Sequence, residues 1–134
     1  MRPPAWVSHY VGLPYREGEY DCWSLVRQVL AERAGIALPA FADTHYRRGC
    51  DRRALAREIA AYRDVLLSGA WRAVDVAQAR ALDVLWLRHG GDIHFAVVAA
   101  PGWMLHVEEG CETVMERYDG CEWRSRVLGA YRHG

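Results

Sequence analysis

Ile93-His94-Phe95-Ala96-Val97-Val98-Ala99-Ala100-Pro101-Gly102-Trp103-Met104-Leu105-His106-Val107 is the stretch on which the fold turns. Ile93, Phe95 and Val97 alternate along one strand-like run, Trp103, Leu105 and Val107 along the next, and Pro101-Gly102 is a turn signal between them. Two such strands form a hairpin whose register decides every side chain's face. Placing both apolar sets on one face requires pairs whose residue numbers have an even sum, for example Phe95 near Leu105. That parity brings His94 and His106 together on the opposite face. A slip by one residue separates the histidines and exposes an apolar set.

Outward from this hairpin, the C-terminal half reads as a series of short strands at 71–74, 83–87, 93–99, 103–107, 113–117 and 127–131, with Gly90-Gly91 a further hairpin connection. The N-terminal half has helical spacing instead. From about Asp21 to Ala34, Leu25, Val26, Val29 and Leu30 form one apolar stripe, while Arg27, Gln28, Glu32 and Arg33 lie off it. Asp21 is placed to cap this helix, Gly35 to stop it, and Pro39 to confirm the exit. After a polar connection from Ala40 to Cys50, a second helix is expected from near Asp51, with Leu55, Ile59, Tyr62 and Leu66 on its apolar side and Gly69 at its end. Residues 1–19, with Pro3, Pro4, Gly12, Pro14 and Gly18, read as a short element and a loop. Helices first and strands afterwards indicate an α+β fold, N-terminal helices packed on an antiparallel β-sheet, in a single domain over residues 1–134.

The balance of 17 Lys+Arg against 17 Asp+Glu offers no electrostatic footprint for nucleic acid, so nucleic-acid binding is not expected. No run approaches the apolar length of a membrane span, and Met1-Arg2-Pro3-Pro4 lacks the apolar core of a signal peptide. Membrane insertion is therefore not expected, and the chain reads as made in the cytoplasm. Of the four cysteines, Cys50, Cys111 and Cys121 are expected as free thiols in a reducing compartment, with a Cys111–Cys121 crosslink after release from the cell as the alternative. They lack zinc-ligand spacing, and no metal is expected.

Cys22 is different. It stands where a loop ends and the first helix begins, where free backbone N–H groups and the helix dipole favour a thiolate. His94 and His106 could supply its base. A single cysteine followed at a distance by histidine is the chain order of papain-like cysteine peptidases. If the hairpin register differed, Glu108 or Asp92 would stand in for His106. The remaining histidines, His9, His45, His89 and His133, fall near loops or termini. Six tryptophans are too many for a small core to hide completely, so some are expected to form an interaction surface.

These residues carry a family resemblance. Gly12-Leu13-Pro14-Tyr15, then Gly18, then Asp21-Cys22-Trp23-Ser24-Leu25-Val26 resembles the G-x-P-[YW]…G…DC-x-G-LV pattern of NlpC/P60 peptidases. Leu82-Asp83-Val84-Leu85 resembles their "GD-L" strand, His94-Phe95-Ala96-Val97-Val98 their "H-V-G-I-V", and Met104-Leu105-His106 their "M-I-H". Two departures stand out: Ser24 replaces a usual glycine, and Leu82 replaces the glycine of "GD". The resemblance implies a papain-like fold with Cys22 as nucleophile, His94 as general base and His106 as its orienting partner. It further implies substrate contacts from Tyr15, Asp21, Trp23 and Ser24, with no cofactor. The implied substrate is a peptidoglycan stem peptide, cut at the γ-D-glutamyl–diaminopimelate bond. The ending from Trp123 to Arg132 looks like the branch encoded among phage tail genes. That branch implies a place in the virion at the tail tip, beside tail-tip or hub proteins, and action in the periplasm or cell wall during genome entry. The alternative is a structural tail-tip component that keeps the fold for docking or peptidoglycan binding without cleaving.

Overall fold

The computed structural model describes residues 4–16, 20–39, 60–89 and 92–134. A 3-10 turn at Ala5–His9 precedes helix α1 at Cys22–Ala34. Residues 60–66 are helical and belong to the second expected helix. Its expected start near Asp51, with Leu55 and Ile59, lies outside the described residues, as do the 40–50 connection and the Gly90-Gly91 hairpin. Six strands follow: β1 at Trp71–Val74, β2 at Val84–His89, β3 at Asp92–Ala100, β4 at Trp103–His106, β5 at Val114–Arg117 and β6 at Val127–His133. They form one antiparallel sheet in the order β1-β6-β2-β3-β4-β5. The α+β expectation holds, and each strand falls within two residues of where the alternation put it. No helix among the described residues is long and apolar enough to cross a membrane.

Helix α1 forms for the reasons its sequence states. The Asp21 carboxylate accepts from the Ser24 backbone N–H at 2.9 Å, which satisfies one of the open N–H groups of the first turn. At the other end Gly35 takes a left-handed φ of 65°, and the Gly35 and Ile36 N–H groups fold back on the carbonyls of Ala31 and Leu30. Between the caps, Leu25, Val26, Val29 and Leu30 are fully buried against the sheet. Each such side chain removed from water contributes about 1.5–3 kcal/mol.

Both faces of the central strands are covered. On the α1 face, Phe95 and Val97 of β3 join Trp23, Tyr62 and Trp86; the Phe95 ring lies 5.0 Å from Trp23 and 4.8 Å from Tyr62 between centroids. On the other face, Ala96 and Val98 meet Met104, Tyr118 and Trp123. Four of the six tryptophans (Trp23, Trp71, Trp86 and Trp123) are buried, and Trp6 and Trp103 are half-buried. Any outward-facing tryptophan surface is thereby limited to Trp6 and Trp103: a sheet covered on both faces has two cores rather than one in which to place large rings.

Leu82 and Asp83 lead into β2. Asp83, 2% exposed, accepts a two-pronged pair from Arg132 of β6 at 2.9 and 2.8 Å and also the Arg80 backbone N–H at 2.9 Å. Leu82 has φ 73°, the only non-glycine residue with positive φ among those described. The backbone thus keeps the left-handed turn that a glycine would favour at this place, and leucine tolerates it at a cost.

Candidate active site

The hairpin parity derived from the sequence holds, with a displacement. Val97 lies opposite Leu105 and Val98 opposite Met104, both even sums, so Leu105 faces Val97 rather than Phe95. A shift of two residues leaves faces unchanged, because side chains repeat every second residue. His94 and His106 therefore share a face as diagonal neighbours, and His94 Nε2 lies 2.9 Å from His106 Nδ1. Both are buried, at 5% and 1% exposure. On the far side, His106 Nε2 lies 2.7 Å from Glu116 Oε2, while Glu108 stands 3.8 Å from His106 Nδ1, beyond a hydrogen bond. Trp123 covers both imidazoles, stacking on His94 at 5.8 Å and meeting His106 edge-on at 5.2 Å.

Cys22 occupies the first turn of α1, half-buried and packed against the core beside β3. The backbone N–H groups of Phe95, the residue after His94, and of Cys22 and Trp23 at the helix start act to lower the thiol's pKa. Their dipoles favour the thiolate, as the helix-start position implies. Burial outweighs them and, with the nearby Asp21 carboxylate, pushes the thiol up to about 12. The expectation of a low-pKa thiolate is thus reversed: the resting group is a neutral thiol.

The loop ahead of α1 is tied to the segment that follows His106. Gly12 N–H donates to Thr113 O at 2.9 Å, Thr113 N–H to Leu13 O at 2.8 Å, and Tyr15 N–H to Cys111 O at 3.0 Å. The Thr113 hydroxyl, fully buried, donates to Leu13 O and lies 3.2 Å from the Tyr20 hydroxyl. Tyr15 is half-buried, with its backbone N–H engaged in this ladder.

The other expected substrate contacts are placed differently. Asp21 is 6% exposed, and its Oδ1 accepts both the N–H and the hydroxyl of Ser24, each at 2.9 Å. The Ser24 hydroxyl is therefore turned back onto the cap. Trp23 is a core residue, 3% exposed, with its indole N–H donating to Pro39 O at 2.8 Å. Its expected contact with substrate meets a ring turned into the core, where it makes T-shaped contacts with Tyr62 and Phe95. Cys111 and Cys121 are exposed free thiols, and Cys50 lies outside the described residues. Among the described residues, the one His/Cys/Asp/Glu trio with mutually close ligand atoms is His106, Glu108 and Glu116, and it contains no cysteine.

Two residues of this site were not singled out from the sequence. Glu116 could have been, since it lies on an expected strand with the parity that puts it beside His106. Trp123 carried no such signal, because it precedes β6 outside any alternating run.

A helix-start cysteine, followed along the chain by a strand-borne histidine bonded to a second polar side chain, is the chain order of papain-like cysteine hydrolases. The chain belongs to the NlpC/P60 family, whose profile matches residues 12–132. That family is generally one of cysteine peptidases and cell-wall hydrolases. Among solved structures, the fold is similar to that of a Staphylococcus aureus protein described as similar to lipoprotein, NLP/P60 family. The TM-score is 0.59 at 20% identity, over 95% of this chain and 38% of that one. No curated protein matches this chain.

Proposed function

We propose that the chain is a cysteine peptidase that hydrolyses peptidoglycan stem peptides, with Cys22 as nucleophile, His94 as general base and His106 as its orienting partner. The observation that carries this reading is the buried His94–His106 hydrogen bond between β3 and β4, with Cys22 in the first turn of the helix that packs on β3. His94 Nε2 is engaged by His106, and Nδ1 is the proposed base. Because the thiol is neutral at rest, its proton passes to His94 Nδ1 as the sulfur bonds to the scissile carbonyl carbon. The carbonyl electron pair moves onto oxygen, where the Cys22 N–H and the Tyr15 phenol are the proposed donors. Collapse breaks the C–N bond, and the leaving amine takes the proton from His94. Water then gives a proton to His94 and attacks the thioester, releasing the acid and the thiol.

The proposed bond is γ-D-glutamyl–diaminopimelate, and the proposed setting is a phage tail tip, beside tail-tip or hub proteins, during genome entry. The support is the sequence pattern from Gly12 to Val26 and the ending from Trp123 to Arg132. A second reading, a tail component that docks without cleaving, draws on the burial that keeps Cys22 protonated. Mass spectrometry of Gram-negative sacculi and of L-Ala-γ-D-Glu-diaminopimelate peptide, incubated with the protein or with Cys22→Ala, separates the two. Cleavage by the intact protein alone supports the peptidase and identifies the bond. Two uncut samples with folded protein favour docking.

A further inference from the structure

Glu116 is the residue that gives the histidine pair a direction. It lies on β5 opposite Met104, and Val114 lies opposite His106. Glu116 is thus diagonal to His106 on the same face, just as His94 is from β3. Its side chain is one-third exposed, and its Oε2 meets the 1%-exposed His106 at 2.7 Å.

We propose that Glu116 is a positioning residue that sets the tautomers of both histidines and so leaves a lone pair on His94 Nδ1; the role rests on the peptidase reading above. An ionised carboxylate only accepts hydrogen bonds. His106 Nε2 must therefore carry the hydrogen in the 2.7 Å contact, and in neutral His106 the other nitrogen, Nδ1, is the acceptor. At 2.9 Å from that acceptor, His94 Nε2 must donate. Neutral His94 then holds its lone pair on Nδ1. Reversing the relay would let His106 Nδ1–H donate to His94 Nε2 and put a hydrogen on His94 Nδ1. In that tautomer the nitrogen left for Cys22 has no lone pair. When His94 takes the thiol proton, the same chain of acceptors, ending on the Glu116 charge, stabilises the imidazolium. Glu108 cannot replace it from 3.8 Å, because it faces His106 Nδ1, the nitrogen His94 already occupies.

The test reads the tautomers directly, by two-bond proton–nitrogen NMR of the histidine rings in the full chain. The comparison is between the intact protein, Glu116→Ala and Glu116→Gln, each with folding checked by its amide spectrum. Hydrogen on Nε2 of both His94 and His106 in the intact protein, with His94 shifting toward Nδ1–H in Glu116→Ala, is the expected result. Glu116→Gln, whose amide oxygen can still accept, keeps the intact pattern at least in part. An unchanged His94 tautomer in Glu116→Ala overturns the proposal, as does Nδ1–H on His94 in the intact protein. This readout needs no turnover, so it is independent of whether stem peptides are cut. Where they are cut, Glu116→Ala lowers kcat about tenfold or more with KM nearly unchanged, and Glu116→Gln recovers part of the loss. Equal kcat in all three proteins also overturns it.

Discussion

Trp123 stacks on the His94 imidazole with ring planes 25° apart, and the same indole meets His106 edge-on. One side chain from the segment before β6 thereby seals two imidazoles that hydrogen-bond each other beneath it. Trp123 is 2% exposed, so its removal opens a large cavity as well as wetting the pair. Trp123→Ala is expected to destabilise the fold by about 3–5 kcal/mol. Trp123→Phe is expected to lose less, since it keeps an aromatic ring over His94. Urea denaturation of the two variants measures the difference, and equal losses would show that the stack is not what the site needs.

The Cys22 thiol supplies a pH prediction. With its pKa pushed up to about 12, the rate of alkylation by iodoacetamide should climb steadily from about pH 6 to about pH 10. A plateau beginning near neutral pH would instead reveal a preformed thiolate. Asp21 raises the thiol through its charge, so Asp21→Asn, which still caps α1, is expected to react faster at any pH in that range.

Stability carries the same signature with a definite sign. Between about pH 9, where an unfolded thiol ionises, and about pH 12, the folded thiol keeps its proton while the unfolded one loses it. The unfolded state then binds fewer protons, so stability falls as pH rises. Cys22→Ala lacks this term, and its stability is expected to decline less steeply over that window when both are followed by denaturant titration. Parallel curves would remove burial as the cause of the shift.

Gly102 sits at the turn between β3 and β4 with φ 88°, and its N–H donates to the Tyr118 hydroxyl at 2.9 Å. A Cβ there would lie 2.9 Å from Asp119 Oδ2 and 3.0 Å from Arg117 Nη2. Those two atoms belong to an exposed ion pair that can shift, so the backbone conformation sets the cost. Gly102→Ala is expected to destabilise by about 1–2 kcal/mol, read as a lower urea midpoint at constant m-value.

Asp83 ties the start of β2 to β6 through Arg132, and it is the more buried partner. Asp83→Ala leaves the Arg80 N–H without its acceptor and the Arg132 guanidinium with only the Gln78 carbonyl. A clear drop in Tm is expected, with helix content from circular dichroism unchanged below the transition. An unaltered Tm would mean the pair is worth no more than a surface ion pair.

Local rules settled much of this protein before any tertiary contact was known. The Asp21 cap, the Gly35 stop, the buried stripe of α1 and the strands follow from short-range spacing, because helix and strand periodicities act within a few residues. The shared face of His94 and His106 was also legible, since parity survives a two-residue displacement of register. What the sequence could not determine depends on atoms distant in the chain. Burial of the Cys22 thiol reverses the effect of its helix start, because desolvation depends on everything packed around the sulfur. Trp23 turns into the core, Trp123 closes over the histidines, and Glu116 reaches His106 across β4 and β5. Each of these is decided by which surfaces meet when the sheet is covered on both faces, and no spacing within one segment encodes that meeting.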